Sequence, residues 1–354
     1  RPDRDPVPAG RWGRQVALTG LLALAVGWAA YGFSIGSLDE VPAAARVVDA
    51  AFPDAESLPR RLLDGISAWS LPAPDALLGL VFLEAHASRG HSAYLLGEES
   101  DHGFWAFYPV ALAVKTPLSF LALGALATAG LGQRPRRPVR DAIAPAAAAV
   151  AVVLVAMAST VTIGLRHVLV VYPLAALSIG AGLDALLRKT SSTGAGRGRR
   201  LVVVATVAAL FAWQLSLVPR VRPDYLAYFN PLAGEEPGRV LVDSDLDWGQ
   251  DALQLEAALR DLDVPLLHIA YFGSVRLCEL DLPPLRHLPP GQPVRGWVAV
   301  SEMYFRDHWH LVYPDVCDRT RAHRAPEGLS YDWLRAHEPV ATAGRSIRIY
   351  HLDD

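Results

Sequence analysis

The apolar run FYPVALAVKTPLSFLALGALATAGLG, Phe107 to Gly132, is long enough to cross a bilayer. It nevertheless contains the ammonium group of Lys115, two residues before Pro117. A charge at membrane depth is expensive and faces a cavity or a partner. Pro117 removes a backbone donor and leaves a carbonyl unpaired. Lys115 is therefore a candidate anion ligand; the plainer alternative is a side chain that snorkels to the headgroups. Arg166 and His167, in the short connection TVTIGLRH, form a second candidate pair. A guanidinium presents a planar fork of donors suited to phosphate oxygens. The same pair can also serve only to anchor a helix end at the interface.

The segment DSDLDWGQD carries Asp243, Asp245, Asp247 and Asp251. Its alternation resembles a calcium loop, but the glycine comes one position late and no glutamate follows at the twelfth position. A strand end feeding a helix capped by Asp247 is the plainer reading. Carboxylates this close resist joint ionisation unless a cation compensates. The motif HWH, His308 to His310, has no third ligand in view, so no cofactor is expected and a divalent metal is the disfavoured option. Cys278 and Cys317 are the only cysteines. They are a disulfide candidate, with two unpaired thiols as the alternative. No second CxxC supports zinc.

The elements that must position these groups read as membrane helices. Mean hydropathy is +0.23, and the apolar residues fall in blocks. A hydrocarbon core about 30 Å thick needs roughly 20 apolar residues. Five segments qualify: Gln15–Ser34, Tyr108–Leu131, Ala142–Ser159, Val168–Leu187 and Leu201–Val218. Three basic segments alternate with them: Arg1, Arg4, Arg11 and Arg14; then Arg134, Arg136, Arg137 and Arg140; then Arg188 to Arg200. Lys and Arg collect on the cytoplasmic side, which puts residues 1–14 inside. The loop 35–107, the Arg166–His167 turn and the tail 219–354 then lie outside. The net charge of −3 provides no field for nucleic acid. The predicted fold is a polytopic α-helical membrane protein of about five transmembrane helices, 15–218, with a C-terminal extracytoplasmic α/β domain.

Within the tail, strands are expected at Arg239–Asp243, Leu266–Phe272, Gly296–Val300 and Ser346–Leu352, with helices at Trp248–Leu262 and Tyr331–His337. In the outer loop, Pro74–Ser88 is a possible helix, lying on the membrane surface or against the tail.

Several motifs occur in order: SAYLLGEESDHGFWAFYPVALAVKTP (Ser92–Pro117), GLRHVLVVYP (Gly164–Pro173), DYLAYFNPLAG (Asp224–Gly234), LVDSDLDWGQD (Leu241–Asp251) and YDWLRAHEPVATAGRSIRIYHL (Tyr331–Leu352). Over about residues 20–354 the chain resembles the C-terminal half of bacterial family-39-type membrane glycosyltransferases, related to protein O-mannosyltransferases and aminoarabinose transferases. The resemblance implies a multi-pass protein of the cytoplasmic membrane, with membrane lipid and a polyprenyl-phosphate-linked sugar donor as partners. The acceptor is unknown. Inverting transfer takes place on the outer face. The catalytic aspartate of such enzymes lies in a first outer loop, so a missing N-terminal half is implied and this portion alone can be inactive. In this chain only SLDE offers a candidate base, Asp39, beside Glu40. The resemblance also gives Lys115, Arg166 and His167 the carrier phosphate. It sets Glu98, Tyr228, Asn230, Asp243, Asp245, Asp247, Trp248 and Gln250 near the acceptor or sugar. The alternative is a non-catalytic membrane scaffold or binding protein with an outer α/β module.

Overall fold

The computed structural model describes residues 9–42, 44–131, 137–192, 196–260, 262–307, 311–313, 315–317, 323–326 and 328–353. His308, His310, Arg1, Arg4, Arg134 and Arg136 lie outside these. The chain divides into two compact units, Arg1–Gly90 and His91–Asp354.

The first unit contains α1 (Ala9–Ala30), a short ribbon of β1 (Ile35–Gly36) and β2 (Leu71–Pro72), and helices α2 (Ala44–Ala51), α3 (Leu58–Ile66) and α4 (Pro74–Arg89). Its small core joins Leu38, Ala44, Val48 and Leu78. The helix expected at Pro74–Ser88 is present. Asp39 sits in a turn at Leu38–Glu40, exposed, where its carboxylate accepts a hydrogen bond from Ser67 Oγ at 3.2 Å.

The second unit opens with the hairpin β3 (Ala93–Leu95) and β4 (Glu98–Ser100). Helices α5 (Phe107–Lys115), α6 (Leu118–Leu131), α7 (Arg137–Met157), α8 (Val171–Ser192) and α9 (Gly196–Arg220) follow. Helix α10 (Ala252–Leu259) leads into strands β5 (Leu267–Ala270), β6 (Leu285–His287) and β7 (Gly296–Ser301). After α11 (Glu302–Arg306) come β8 (Leu311–Val312), β9 (His323–Arg324), β10 (Ala341–Ala343) and β11 (Ile347–Leu352). Five strands form a mixed sheet in the order β10-β11-β7-β5-β6, with β7, β5 and β6 parallel. Strand side chains alternate between faces. Leu267, Ile269, Ala299, Ile347 and Ile349 meet Leu255 and Leu259 of α10 on one face. Ala270, Val298, Val300, Tyr350 and Leu352 face the opposite core. The expected strands Leu266–Phe272, Gly296–Val300 and Ser346–Leu352 are therefore found within a residue or two. Cys278 and Cys317 are disulfide-bonded across 39 residues, a loop whose closure stabilises by about 3–4 kcal/mol in the chain-entropy model.

Other expectations are corrected. Arg239–Asp243 forms no strand: 3-10 turns occupy Pro237–Arg239 and Asp243–Asp245. Leu241 and Val242 are both buried, a pattern a half-exposed strand cannot make. The helix after it begins at Ala252 with Asp251, not Asp247, at its N-cap. Tyr331–His337 shrinks to a 3-10 turn, Asp332–Ala336.

Among the described residues, three helices are long and apolar enough to cross a membrane, Gly13–Ala30, Val171–Thr190 and Arg197–Arg220, or up to four if a bent pair counts as one. The apolar part of α7, Ile143–Met157, is shorter than a span. The bent pair is the expected crossing Tyr108–Leu131, which turns by 103° between α5 and α6. The reason is local. Pro117 has no N–H for the Ala113 carbonyl. Asn230 supplies the missing donors: its Nδ2 donates to Ala113 O and Thr116 O, both at 2.7 Å, and its N–H donates to Val114 O at 2.8 Å. Beyond the break, α6 packs on α8 and α9 through Leu123, Ala127, Leu183 and Val207. A Cβ on Gly130 would strike the Gly182 carbonyl and lie 2.8 Å from Leu186 N, so this crossing needs a glycine. Before the break, Phe107, Tyr108, Ala111 and Val114 of α5 are buried in the same core as Val298 and Tyr350. Lys115 thus ends a helix of the α/β region and does not interrupt a continuous apolar rod.

Replacing Asn230 leaves buried carbonyls without donors, at about 1–3 kcal/mol each. Asn230→Ala is expected to destabilise the unit by about 2–4 kcal/mol. Asn230→Asp keeps the Leu232 cap but sets a buried carboxylate oxygen against the Ala113 and Thr116 carbonyls, so it should be at least as harmful. Denaturant midpoints of the detergent-solubilised protein check this order.

Candidate functional site

Three elements bring the sequence-predicted groups together: the C-terminus of α5, the 3-10 turn Leu165–Val168 before α8, and the loop Asp243–Asp251. Lys115 Nζ donates to Leu226 O at 2.6 Å and to Asp245 O at 2.5 Å, and lies 4.1 Å from the centre of the Phe229 ring. A cation suits the negative end of a helix dipole, and its two carbonyl bonds tie the break to the acidic loop.

Asp245 is the node. It is 3 % exposed; Oδ1 accepts from Leu165 N at 2.9 Å, while Oδ2 has no hydrogen-bond partner among the described residues. Burial pushes its carboxyl up. Lys115 is the largest opposing influence, followed by the Leu165 amide, Arg166 and His167. The three expected phosphate ligands thus all act on one buried carboxyl group. Arg166 and His167 are exposed. Burial and the adjacent Arg166 hold the His167 imidazole below its ordinary value, against Asp245, so at neutral pH it is an uncharged donor rather than a second cation.

Asp243 is held at φ +53°, a left-handed conformation that aspartate tolerates better than most residues. Burial pushes its carboxyl up to about 7, opposed by the Ser244 amide and Arg166. It lines a cavity of about 280 Å³ with Trp248, Phe272, Met303, Tyr313 and His91. The Arg166 guanidinium stacks on Trp248 at 5.0 Å, and Trp248 meets Phe272 edge-on at 5.6 Å. Of these groups, Phe272, Met303, Tyr313 and His91 were not expected from the sequence; they come from scattered segments without a shared motif.

The remaining loop residues hold the loop itself. Asp247 is fully buried, with Oδ1 accepting from Gly249 N at 3.1 Å. Burial raises its carboxyl to about 7, opposed by the Gly249 amide and the Ser301 and Ser346 hydroxyls. Gly249, at φ +79°, lies so close to Gly273 that a Cβ would sit 2.6 Å from its Cα. Gln250 bridges Trp248 N and Leu246 O at 2.8 and 2.9 Å. Asp251 Oδ2 accepts from Arg345 N, Ser346 N and Ser346 Oγ at 2.8–2.9 Å, pinning the β10–β11 turn.

Other predicted residues fall elsewhere. Glu98 is exposed at the tip of the β3–β4 hairpin. Asn230 caps the helix break. Tyr228 lines a separate cavity of about 180 Å³ with Pro117, Leu217, Val218, Val221 and Tyr225. Among the described residues no group of three or more His, Cys, Asp or Glu side chains is arranged to hold a metal ion. No protein-family model, curated protein or solved structure matches the chain.

Asp243 and Asp247 bind their protons more tightly in the folded state, near 7 against about 4 in an unfolded chain. Their contribution to stability is complete below about pH 4 and declines as pH rises to about 7, by up to about 1.4 kcal/mol per pH unit for each group. Asp247→Asn keeps an oxygen for the Gly249 bond and has no proton to lose. The variant should show a shallower fall of the thermal midpoint over this window than the parent protein.

Proposed function

We propose that this chain is the C-terminal portion of a membrane glycosyltransferase that takes a sugar from a polyprenyl-phosphate carrier on the outer face of the cytoplasmic membrane. The observation that carries the reading is the meeting at Asp245 of Lys115, which bonds its main-chain oxygen, and of the turn that bears Arg166 and His167, which bonds its Oδ1 through Leu165 N, beside an aromatic-walled cavity and next to a break between apolar helices. The spacing of basic segments supports an N-terminus inside and the α/β region, α5 included, outside, with α6 entering the membrane after the break at Pro117 and α7 as a short passage.

In this reading the carrier phosphate meets the guanidinium fork of Arg166, which Trp248 supports from one face. His167 donates a hydrogen bond, and Lys115 adds its charge from below. The apolar cavity lined by Leu217, Val218 and Tyr228 takes isoprene units. The sugar occupies the cavity beside Asp243 and Trp248, where aromatic faces pack on its C–H surface. The acceptor oxygen or nitrogen forms a bond to the anomeric carbon as the bond from that carbon to the phosphate oxygen breaks. The departing oxygen keeps the electron pair, and the cations stabilise the charge that develops there. The acceptor proton passes to a carboxylate base. The resemblance assigns that base to a first outer loop.

Arg166 is exposed, so Arg166→Ala tests the site without disturbing the core. A charge-assisted hydrogen bond contributes about 1.5–3 kcal/mol, so transfer from a polyprenyl-phosphate sugar by the complete enzyme should fall about 10- to 100-fold, with membrane insertion unchanged. Unaltered turnover would remove the cation cluster from the reaction.

A further inference from the structure

A second large cavity contains none of the phosphate or sugar groups assigned above. It measures about 390 Å³ and is walled by the loop Phe229–Gly238, by α11 and by the turn and strand Gly344–Arg348. That volume lies within the range of small-ligand pockets, about 300–1,000 Å³.

Its wall is a chain of ion pairs. Glu302 bonds Arg306 Nε at 3.1 Å and also pairs with Arg348 Nε. Arg306 reaches on to Glu236 at 2.7 Å. Glu302 and Arg306 are each only 7 % exposed. The guanidiniums are held further by the Phe305 ring, over which Arg306 lies at 5.3 Å and Arg348 at 4.4 Å. Buried ion pairs of this kind are often no better for stability than apolar residues of the same shape. Lining a cavity, they present fixed donors and acceptors to whatever enters. At the rim, Glu235 and Arg345 are exposed and have no ion-pair partner among the described residues.

The charges that line the cleft balance, with Glu235, Glu236 and Glu302 against Arg306, Arg345 and Arg348. Arg306 and Arg348 already answer Glu236 and Glu302, so a phosphate or carboxylate would gain no net positive charge from the cleft. A ligand with alternating donor and acceptor hydroxyls and no net charge fits, and Phe229 and Pro231 give its C–H face an apolar surface. From this geometry we infer that the cleft bounded by Phe229, Glu302, Arg306 and Arg345 binds a neutral saccharide. In the transfer reading it is the acceptor's seat; only that role rests on the reading, and binding itself does not.

The test is saturation-transfer NMR on the full detergent-solubilised chain, without any donor lipid, using methyl glycosides of glucose, mannose, galactose and N-acetylglucosamine. At least one glycoside should bind. The double variant Glu235→Ala/Arg345→Ala leaves the buried ion pairs and the Arg345 backbone bond intact and should weaken that binding about tenfold, the loss of one or two hydrogen bonds. Inorganic phosphate should not compete. No glycoside signal, competition by phosphate, or a signal indifferent to the rim pair and lost in Trp248→Ala would each overturn the inference. The last outcome would place the sugar in the other cavity and leave the transfer reading standing.

Discussion

The carbonyls of Ala113, Val114 and Thr116, left without helical donors ahead of Pro117, are the constraint on which the rest of the second unit depends. A proline there removes one helical hydrogen bond, and an orphaned carbonyl away from water is costly. The chain resolves this with a residue more than a hundred positions later. Asn230 takes Ala113, Val114 and Thr116 at 2.7–2.8 Å. Once those bonds form, the DYLAYFNP segment lies against the end of α5, and Lys115 can reach Leu226 O and Asp245 O. The acidic loop is then fixed against the 3-10 turn through Leu165 N.

The second consequence is electrostatic. A carboxylate as deeply buried as Asp245 needs compensating charge. Lys115 and Arg166 act against its burial, and Lys115 also bonds its main-chain oxygen. The same loop offers Asp243 to the aromatic cavity and uses Asp247, Gln250 and Asp251 for its own support. A motif of alternating aspartates therefore divides into groups that face the cavity and groups that hold the loop, according to burial rather than to residue type.

Much of the sheet was legible from alternation. Val298 and Val300 against Ala299, and Tyr350 and Leu352 against Ile347 and Ile349, follow the period of two that a strand requires. The pairing of Cys278 with Cys317 was legible because only two cysteines exist. The break in the run 107–132 was half legible. Pro117 announces an unpaired carbonyl, but nothing local shows that Asn230 will take it or that the helix will turn by 103°. RVLVD has the composition of a strand and fails to be one because Leu241 and Val242 both go inward. The ion-pair cleft was missed entirely. Its only local signal is the four-residue spacing of Glu302 and Arg306; Glu236 and Arg348 join from distant segments.

The central claim is that the cations around Asp245 form a binding site for a lipid phosphate. Native mass spectrometry of the purified chain with added polyprenyl phosphate tests it most directly. The account predicts one retained lipid per chain, displaced neither by a polyprenol lacking the phosphate nor by a neutral detergent, and no retention in Arg166→Ala. Equal retention of polyprenol and polyprenyl phosphate, or retention untouched by the loss of Arg166, would contradict it.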